Sequence, residues 1–169
     1  GEATVGILLA SMAVGAFLAG LFSGPLGGVR RQGAAVVWSV MGWGASIAGF
    51  GLVVVLAGDS GAGGVTWWLL PAALCCGLAG IADSVSAVFR TTILQASTPD
   101  HLRGRLQGVF IVVVAGGPRV GDMVAGGGTK ILSEGWVLLL GGLLCIAVAW
   151  AVAHWQSGFL KYDARNPVP

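Results

Sequence analysis

Between Asp83 and Asp122 the chain reads DSVSAVFRTTILQASTPDHLRGRLQGVFIVVVAGGPRVGD. A charged turn lies at the centre of this stretch, and on each side an apolar run carries charged residues well inside it. In a water-soluble protein such a pattern would be ordinary. In this chain it is informative, because most of the remaining sequence is apolar.

The composition places the chain in a lipid bilayer. Of its 169 residues, 56% are hydrophobic and 9% are charged, and the mean hydropathy is +0.87. Soluble domains carry roughly 25% charged residues, so a chain this poor in charge predicts an integral membrane protein. Nine basic residues spread over several loops make no nucleic-acid footprint.

Five apolar runs are long enough to cross a bilayer, which takes about 20 residues of helix. They lie at about 4–22, 34–57, 67–89, 106–125 and 136–155. The sequence therefore predicts an all-α membrane protein with five transmembrane helices. We expect a transmembrane bundle over residues 1–156 and a short polar tail over 157–169.

The loop charges predict the orientation of the spans. Basic residues in short loops favour the cytoplasm. The fourth loop carries Lys130 with Glu134 and is expected outside, as is the second. The other basic loop residues fall in the first loop, the third loop and the tail, at Arg30, Arg31, Arg90, Arg103, Arg105, Lys161 and Arg165. The second loop, with Asp59, has none. Residue 1 is therefore expected outside the cell and the carboxyl terminus in the cytoplasm.

Small residues recur near one another on predicted helix faces. Such residues let membrane helices approach closely, since lipid provides no hydrophobic force between helices. The spacings that predict close packing are Gly15 with Gly20, Ala73 with Gly77, and Gly117 with Gly121.

Three charged residues fall inside predicted spans, namely Asp83, Arg119 and Asp122. Each costs at least about 2.5–3.5 kcal/mol at the centre of a spanning helix. Similar depths on consecutive spans make an Asp83–Arg119 ion pair geometrically reasonable, and Asp122 competes for the same guanidinium. Arg90 lies seven residues from Asp83 and shares its helix face. The charges are either a structural pair that locks two helices or polar groups along a translocation path, where a carboxylate takes a proton.

The fourth run contains a predicted helix break at Pro118, because proline removes a backbone donor. We interpret this span as a moving or substrate-facing helix, with a static kink as the alternative. At the preceding turn, Thr98 is expected to cap the next helix, with Pro99 at its first position and Asp100 near the positive end of its dipole.

No catalytic or metal-binding pattern is present. Cys75, Cys76 and Cys145 lie inside apolar runs without a metal-ligand spacing. His101 and His154 have no companion residues, and no Gly-Lys-Ser/Thr phosphate loop occurs. The chain is predicted to have no enzymatic activity, no cofactor and no metal.

The central residues resemble the carboxyl-terminal half of major facilitator superfamily exporters, in the branch of the enterobactin exporter and drug-efflux permeases. The motifs that carry the resemblance are Gly80-Ile81-Ala82-Asp83, Phe89-Arg90, Thr98-Pro99-Asp100-x-x-Arg103-Gly104-Arg105 and Gly116-Gly117-Pro118-Arg119-Val120-Gly121-Asp122. The first loop, from Ser23 to Gly33, is similar to the family's loop between spans eight and nine, but Gly28 stands where the family often has an acid.

The resemblance implies a twelve-span fold of which this chain holds spans eight to twelve. It implies a secondary active exporter in the bacterial cytoplasmic membrane that moves a drug or siderophore outward, by proton antiport. The pathway candidates are then Asp83, Arg119 and Asp122, and the candidates for a cytoplasmic gate are Arg30, Arg31, Arg90, Asp100, Arg103 and Arg105.

The chain begins at Gly1 rather than Met, and the resemblance leaves the amino-terminal half of the transporter unaccounted for. We therefore expect a fragment that is inactive without that partner. The alternative is a structural membrane subunit without transport activity, in which the charges hold helices together.

Overall fold

A computed structural model describes residues 2–24, 28–58 and 67–156 of the chain. Five of its helices are long and apolar enough to cross a membrane, as the sequence predicts. They are α1 (Glu2–Leu21), α2 (Gln32–Ala57), α3 (Leu69–Ser97), α4 (Arg103–Gly128) and α5 (Glu134–Trp155). The predicted tail at 157–169 and Asp59 of the second loop lie outside the described residues.

The third helix is longer than its apolar run predicts, because it continues past Phe89 to Ser97. At 1.5 Å per residue its 29 residues span about 43 Å, whereas the hydrocarbon core measures about 30 Å. The carboxyl-terminal turns of α3 therefore carry polar residues. This helix stops where Thr98 adopts an extended conformation before Pro99, since the residue before proline avoids the helical region.

The start of α4 differs from the expected capped helix. Thr98 does not cap it: its hydroxyl donates to the carbonyl of Leu94 and so belongs to α3. A short 3₁₀ turn at Asp100–Leu102 follows Pro99, and α4 itself begins at Arg103. The Thr98 hydroxyl bonds within α3 because the carbonyl of Leu94, four residues earlier, lacks a backbone partner at the end of this helix.

The helices pack in an order that differs from their order in the chain. The extensive contacts join α1 to α3, α3 to α2, and α2 to α5. The fourth helix makes limited contact with α5 and with the 3₁₀ turn. The described bundle is therefore a layer in the order α1, α3, α2, α5, with α4 at its margin.

Small residues form the seam between α2 and α5. A β-carbon on Gly142 would overlap the backbone of Gly44 and Ala48, and one on Gly51 would overlap the backbone near Gly135. Since only glycine fits at these positions, the two backbones can approach closely enough for dispersion contacts along their length. This seam was not predicted from the sequence, although Gly135 and Gly142 show the seven-residue spacing of one helix face.

The predicted small-residue pairs have mixed outcomes. Gly15 of α1 does lie in close contact, but with Gly77 of α3, where a β-carbon would overlap a backbone carbonyl. An added β-carbon at Gly20, Gly117 or Gly121 would meet no atom within 4 Å. Spacing along one helix identified residues suited to close packing without identifying their partners.

Candidate functional site

The third helix lies between α1 and α2, which contact opposite sides of it. Gly80 approaches the backbone of Met12 in α1, whereas Ala82 and Cys75 approach Gly42 and Gly49 of α2. At about 100° per residue, the two contact directions are about half a turn apart. Two further faces of α3 are therefore left uncovered by its neighbours.

These two uncovered faces differ in chemistry. One is apolar and carries exposed side chains at Leu70, Leu74 and Leu78. The opposite face carries Asp83 and, two turns later, Arg90. The apolar face suits lipid, while a charged face at this depth needs water or protein against it.

Asp83 and Arg90 form an ion pair within α3. The Asp83 Oδ1 to Arg90 Nη2 distance is 3.5 Å, and Arg90 Nε donates to the carbonyl of Ser86 at 3.3 Å. The side chain of Asp83 is 57% exposed and that of Arg90 is 34% exposed. The carboxylate thus stays accessible, while the guanidinium is anchored to the backbone of its own helix.

Ser86 adds a polar atom between these charges, although it was not among the predicted pathway residues. The residue is 2% exposed, and its hydroxyl has no hydrogen-bond partner among the described residues. Ser86 lies three residues after Asp83 and four before Arg90. Residues at these spacings share a helix face, so the sequence itself indicated that the three side chains are neighbours.

The proposed Asp83–Arg119 pair does not form in this structure. Asp83 pairs with Arg90, the residue that shares its helix face, and α4 is not packed on α3 to any appreciable extent. In the described part of the chain, Arg119 and Asp122 have no ion-pair partner within 4.0 Å. The three predicted pathway residues therefore fall into two separate groups.

Pro118 lies inside α4, and the helix continues on both sides of it. The predicted break is therefore not an interruption of the helix. The missing backbone donor still leaves the carbonyl four residues earlier without its usual partner. A role for this position in movement stays a prediction.

The predicted gate residues lie on several elements. Arg103 pairs with Asp100 at 3.1 Å and donates from Nε to the Thr98 carbonyl at 3.4 Å, which ties the start of α4 to the turn. Arg30 and Arg31 precede α2 and are exposed, as is Arg105 in the first turns of α4. Part of the similar first loop, residues 25–27, lies outside the described residues. The gating role of these side chains stays a prediction.

The Asp100–Arg103 pair is expected to contribute little to stability. Both side chains are largely exposed, and such pairs contribute at most about 1 kcal/mol. We expect Asp100→Asn to lower the free energy of unfolding by less than that, measured by denaturant titration in detergent micelles. Arg103→Gln should give a similar change, and a loss several times larger would contradict this prediction.

Curated proteins resemble the chain along most of its length. The enterobactin exporter EntS of Escherichia coli K12 is 27% identical over 162 residues, which are 92% of this chain and 36% of the exporter. EntS of Citrobacter koseri is 30% identical over 125 residues, 74% of this chain and 27% of that protein. EntS of Shigella flexneri is 28% identical over 153 residues, 86% of this chain and 34% of that protein.

The chain thus spans about a third of the length of the curated relatives it matches. No protein-family profile matches it, and no solved structure does.

Proposed function

We propose that this chain, which is similar over 92% of its length to 36% of the enterobactin exporter EntS, forms one wall of a proton-coupled exporter of the major facilitator superfamily. The substrate we propose is a siderophore, because the relatives are named enterobactin exporters, with an amphipathic drug as the alternative. The membrane we propose is the bacterial cytoplasmic membrane. We place the first loop, the third loop and the carboxyl terminus in the cytoplasm, on the basis of their basic residues.

The Asp83–Arg90 pair is the observation that supports this proposal. It lies on a face of α3 opposite the leucine face, and both neighbouring helices leave it uncovered. Ionisable residues at membrane depth face cavities or protein rather than lipid, and they mark ion and substrate paths. We therefore assign the path to this face of α3.

The pair has a geometry suited to a proton carrier. Both partners belong to one helix, so protonation of Asp83 can release Arg90 without any movement between helices. The released guanidinium keeps its hydrogen bond to the Ser86 carbonyl. In this proposal, protonation and release alternate with the inward-facing and outward-facing states of the exporter.

The same geometry argues against the structural-subunit alternative. In that alternative the charges join neighbouring helices, but Asp83 and Arg90 join no two helices. Arg119 and Asp122 lie on α4, away from α3, and neither has an ion-pair partner among the described residues.

The 169-residue chain is proposed to be inactive without the rest of the exporter. The polar face of α3 lacks an opposite wall in the described bundle, and a path across the membrane needs one. An accumulation assay in cells lacking their own efflux pumps tests this. The complete product of the gene should lower cellular siderophore or drug, while the 169-residue chain at equal membrane abundance should not. Equal accumulation with the complete product, the chain and an empty vector would contradict transport.

Export is also expected to depend on the proton gradient. In everted vesicles that contain the complete gene product, substrate uptake should require an acidic interior and should stop when a protonophore collapses the gradient. Vesicles with equal pH on both sides and no imposed membrane potential are the control. Uptake that persists without a proton gradient would contradict proton antiport.

A further inference from the structure

Ser86 is the least exposed polar residue in the described part of the chain, at 2%. Its hydroxyl is buried and has no hydrogen-bond partner there. A polar group that is buried without a hydrogen bond destabilises a fold, and native structures keep few such groups. This hydroxyl therefore calls for a physical reason.

Other serines of the bundle satisfy their hydroxyls within their own helices. Each donates to the carbonyl four residues earlier, at 2.6–2.9 Å, and they are Ser11, Ser39, Ser46 and Ser97. Such bonds are the usual local solution for a serine inside a helix. The hydroxyl of Ser86 makes no such bond, so it keeps its full capacity to donate and to accept.

Ser86 lies at the border between two faces of α3. At about 100° per residue, it is about 40° around the helix from Ala82, which approaches α2, and about 40° from Arg90 on the polar face. Asp83 lies three residues earlier, and β-carbons at this spacing are about 5–6 Å apart. An aspartate and a serine side chain can bridge that separation, so the buried hydroxyl is within reach of the exposed carboxylate.

We propose that Ser86 is the second partner of Asp83, which the carboxyl adopts when it is protonated. The ionised carboxylate pairs with Arg90 at 3.5 Å. Protonation removes the negative charge that attracts the guanidinium and gives the carboxyl an O–H donor. The neutral side chain then turns inward and donates this hydrogen to Ser86 Oγ, while the Ser86 hydroxyl donates to the carbonyl of Ala82 four residues earlier.

The exchange of partners moves the proton from an exposed position to a buried one. A neutral carboxyl costs less to bury than an ionised one, so the border with α2 suits the protonated form alone. Arg90 stays bound through Nε to the Ser86 carbonyl. Ser86 thus positions both partners, the cation through its main chain and the acid through its side chain. The inference rests on the proposed role of Asp83 as the proton carrier and adds the place where the proton is held.

Few other charges face this part of α3 from the helices packed on it. The second helix has no ionisable side chain, and α1 has one, Glu2, at its first position. Arg30 and Arg31 precede α2 and lie about eleven residues from Gly42, which approaches α3 at this level; that is about 16 Å along a helix. The two thiols of α3 lie at least seven residues away. Arg90 is therefore the charged side chain that competes for the carboxyl.

Infrared difference spectroscopy tests the hydrogen bond directly. In the complete gene product reconstituted into liposomes, spectra at low pH minus those at high pH show the C=O band of each carboxyl that takes up a proton. The band that is lost in Asp83→Asn belongs to Asp83. A hydrogen bond weakens the C=O bond, so this band should move to higher wavenumber in Ser86→Ala.

Ser46→Ala is the matched control, because its hydroxyl donates to the Gly42 carbonyl within α2. It should leave the Asp83 band in place. An Asp83 band at the same wavenumber in Ser86→Ala would overturn the proposal. An equal shift in Ser46→Ala would also overturn it, as would the absence of any band from Asp83.

The proton dependence of uptake is a second readout, which a merely structural role of Ser86 would not move. In everted vesicles with the complete gene product, Ser86→Ala should need an interior proton concentration about two- to tenfold higher for half-maximal uptake, because one hydrogen bond of the protonated state is lost. The same dependence in Ser86→Ala and the unaltered protein would overturn the proposal. Full export by Asp83→Asn would instead contradict the proposed function, and the infrared band would still decide whether Ser86 binds the neutral acid.

Discussion

Leucine in place of Gly142 is expected to force α2 and α5 apart. A β-carbon at this position would already overlap the backbone of Gly44 and Ala48, and backbone atoms cannot move aside as a flexible side chain does. Overpacking of a close interface costs about 1–3 kcal/mol and occasionally more. The contact between α2 and α5 is among the most extensive in the bundle. We therefore expect Gly142→Leu to lower the free energy of unfolding of the bundle substantially.

Gly141→Leu is the matched control for this variant. Gly141 is the adjacent residue in α5, and an added β-carbon there would meet no atom within 4 Å. Both substitutions raise helix propensity by a similar amount. The difference between their unfolding midpoints therefore reports the contact of position 142 with α2. The measurement is the midpoint of denaturant-induced unfolding in mixed micelles. Equal midpoints for the two variants would contradict the close contact between α2 and α5.

Asp83→Asn in the complete gene product is expected to reduce export to the level of cells without the exporter. Asparagine preserves the size of the side chain but cannot take up and release a proton, and it releases Arg90 permanently. Membrane abundance should be unchanged, because the Asp83 side chain is more than half exposed. The readout is the accumulation assay, with abundance measured on the same cells.

Glu134→Gln is the control for loss of one carboxylate, since Glu134 lies at the first turn of α5 and away from the polar face of α3. The exchange Asp83→Arg/Arg90→Asp distinguishes a structural role of the ion pair from a role in the transport path. It keeps an ion pair on α3 but moves the carboxylate about 10 Å along the helix. We expect export to be lost in the exchanged variant, and full export there would contradict the assignment of Asp83.

The sequence was sufficient to predict the five spanning helices, because long apolar runs have few alternatives to helix in a bilayer. The apolar run of the third span ends at about Phe89, and α3 continues for eight further residues to Ser97. The apolar run marks the hydrocarbon core, whereas the helix continues until its hydrogen bonds are interrupted near Pro99. Hydropathy therefore predicts the segment of α3 that crosses the hydrocarbon core, but not the residue at which the helix ends.

The candidate site was predictable where it depends on one helix. The seven-residue separation of Asp83 and Arg90 predicts a shared face, and the ion pair is present. The Asp83–Arg119 pair depended on packing between consecutive helices, and α3 packs against α1 and α2 instead. Neighbours in the chain need not be neighbours in the layer, and nothing local in the sequence encodes that order. The pairing of Gly15 with Gly77 escaped prediction for the same reason.

The layer order also sets a sequence of events during synthesis. The glycine face of α2 is complete once Ala57 has emerged, but its partner α5 begins at Glu134. At roughly 5–20 residues per second, a ribosome needs several seconds to make the chain between them. During that interval α2 waits in the bilayer with a bare small-residue face, while α3 and the charge-bearing α4 enter. The seam between α2 and α5 is therefore expected to be the last extensive contact of the described bundle to form.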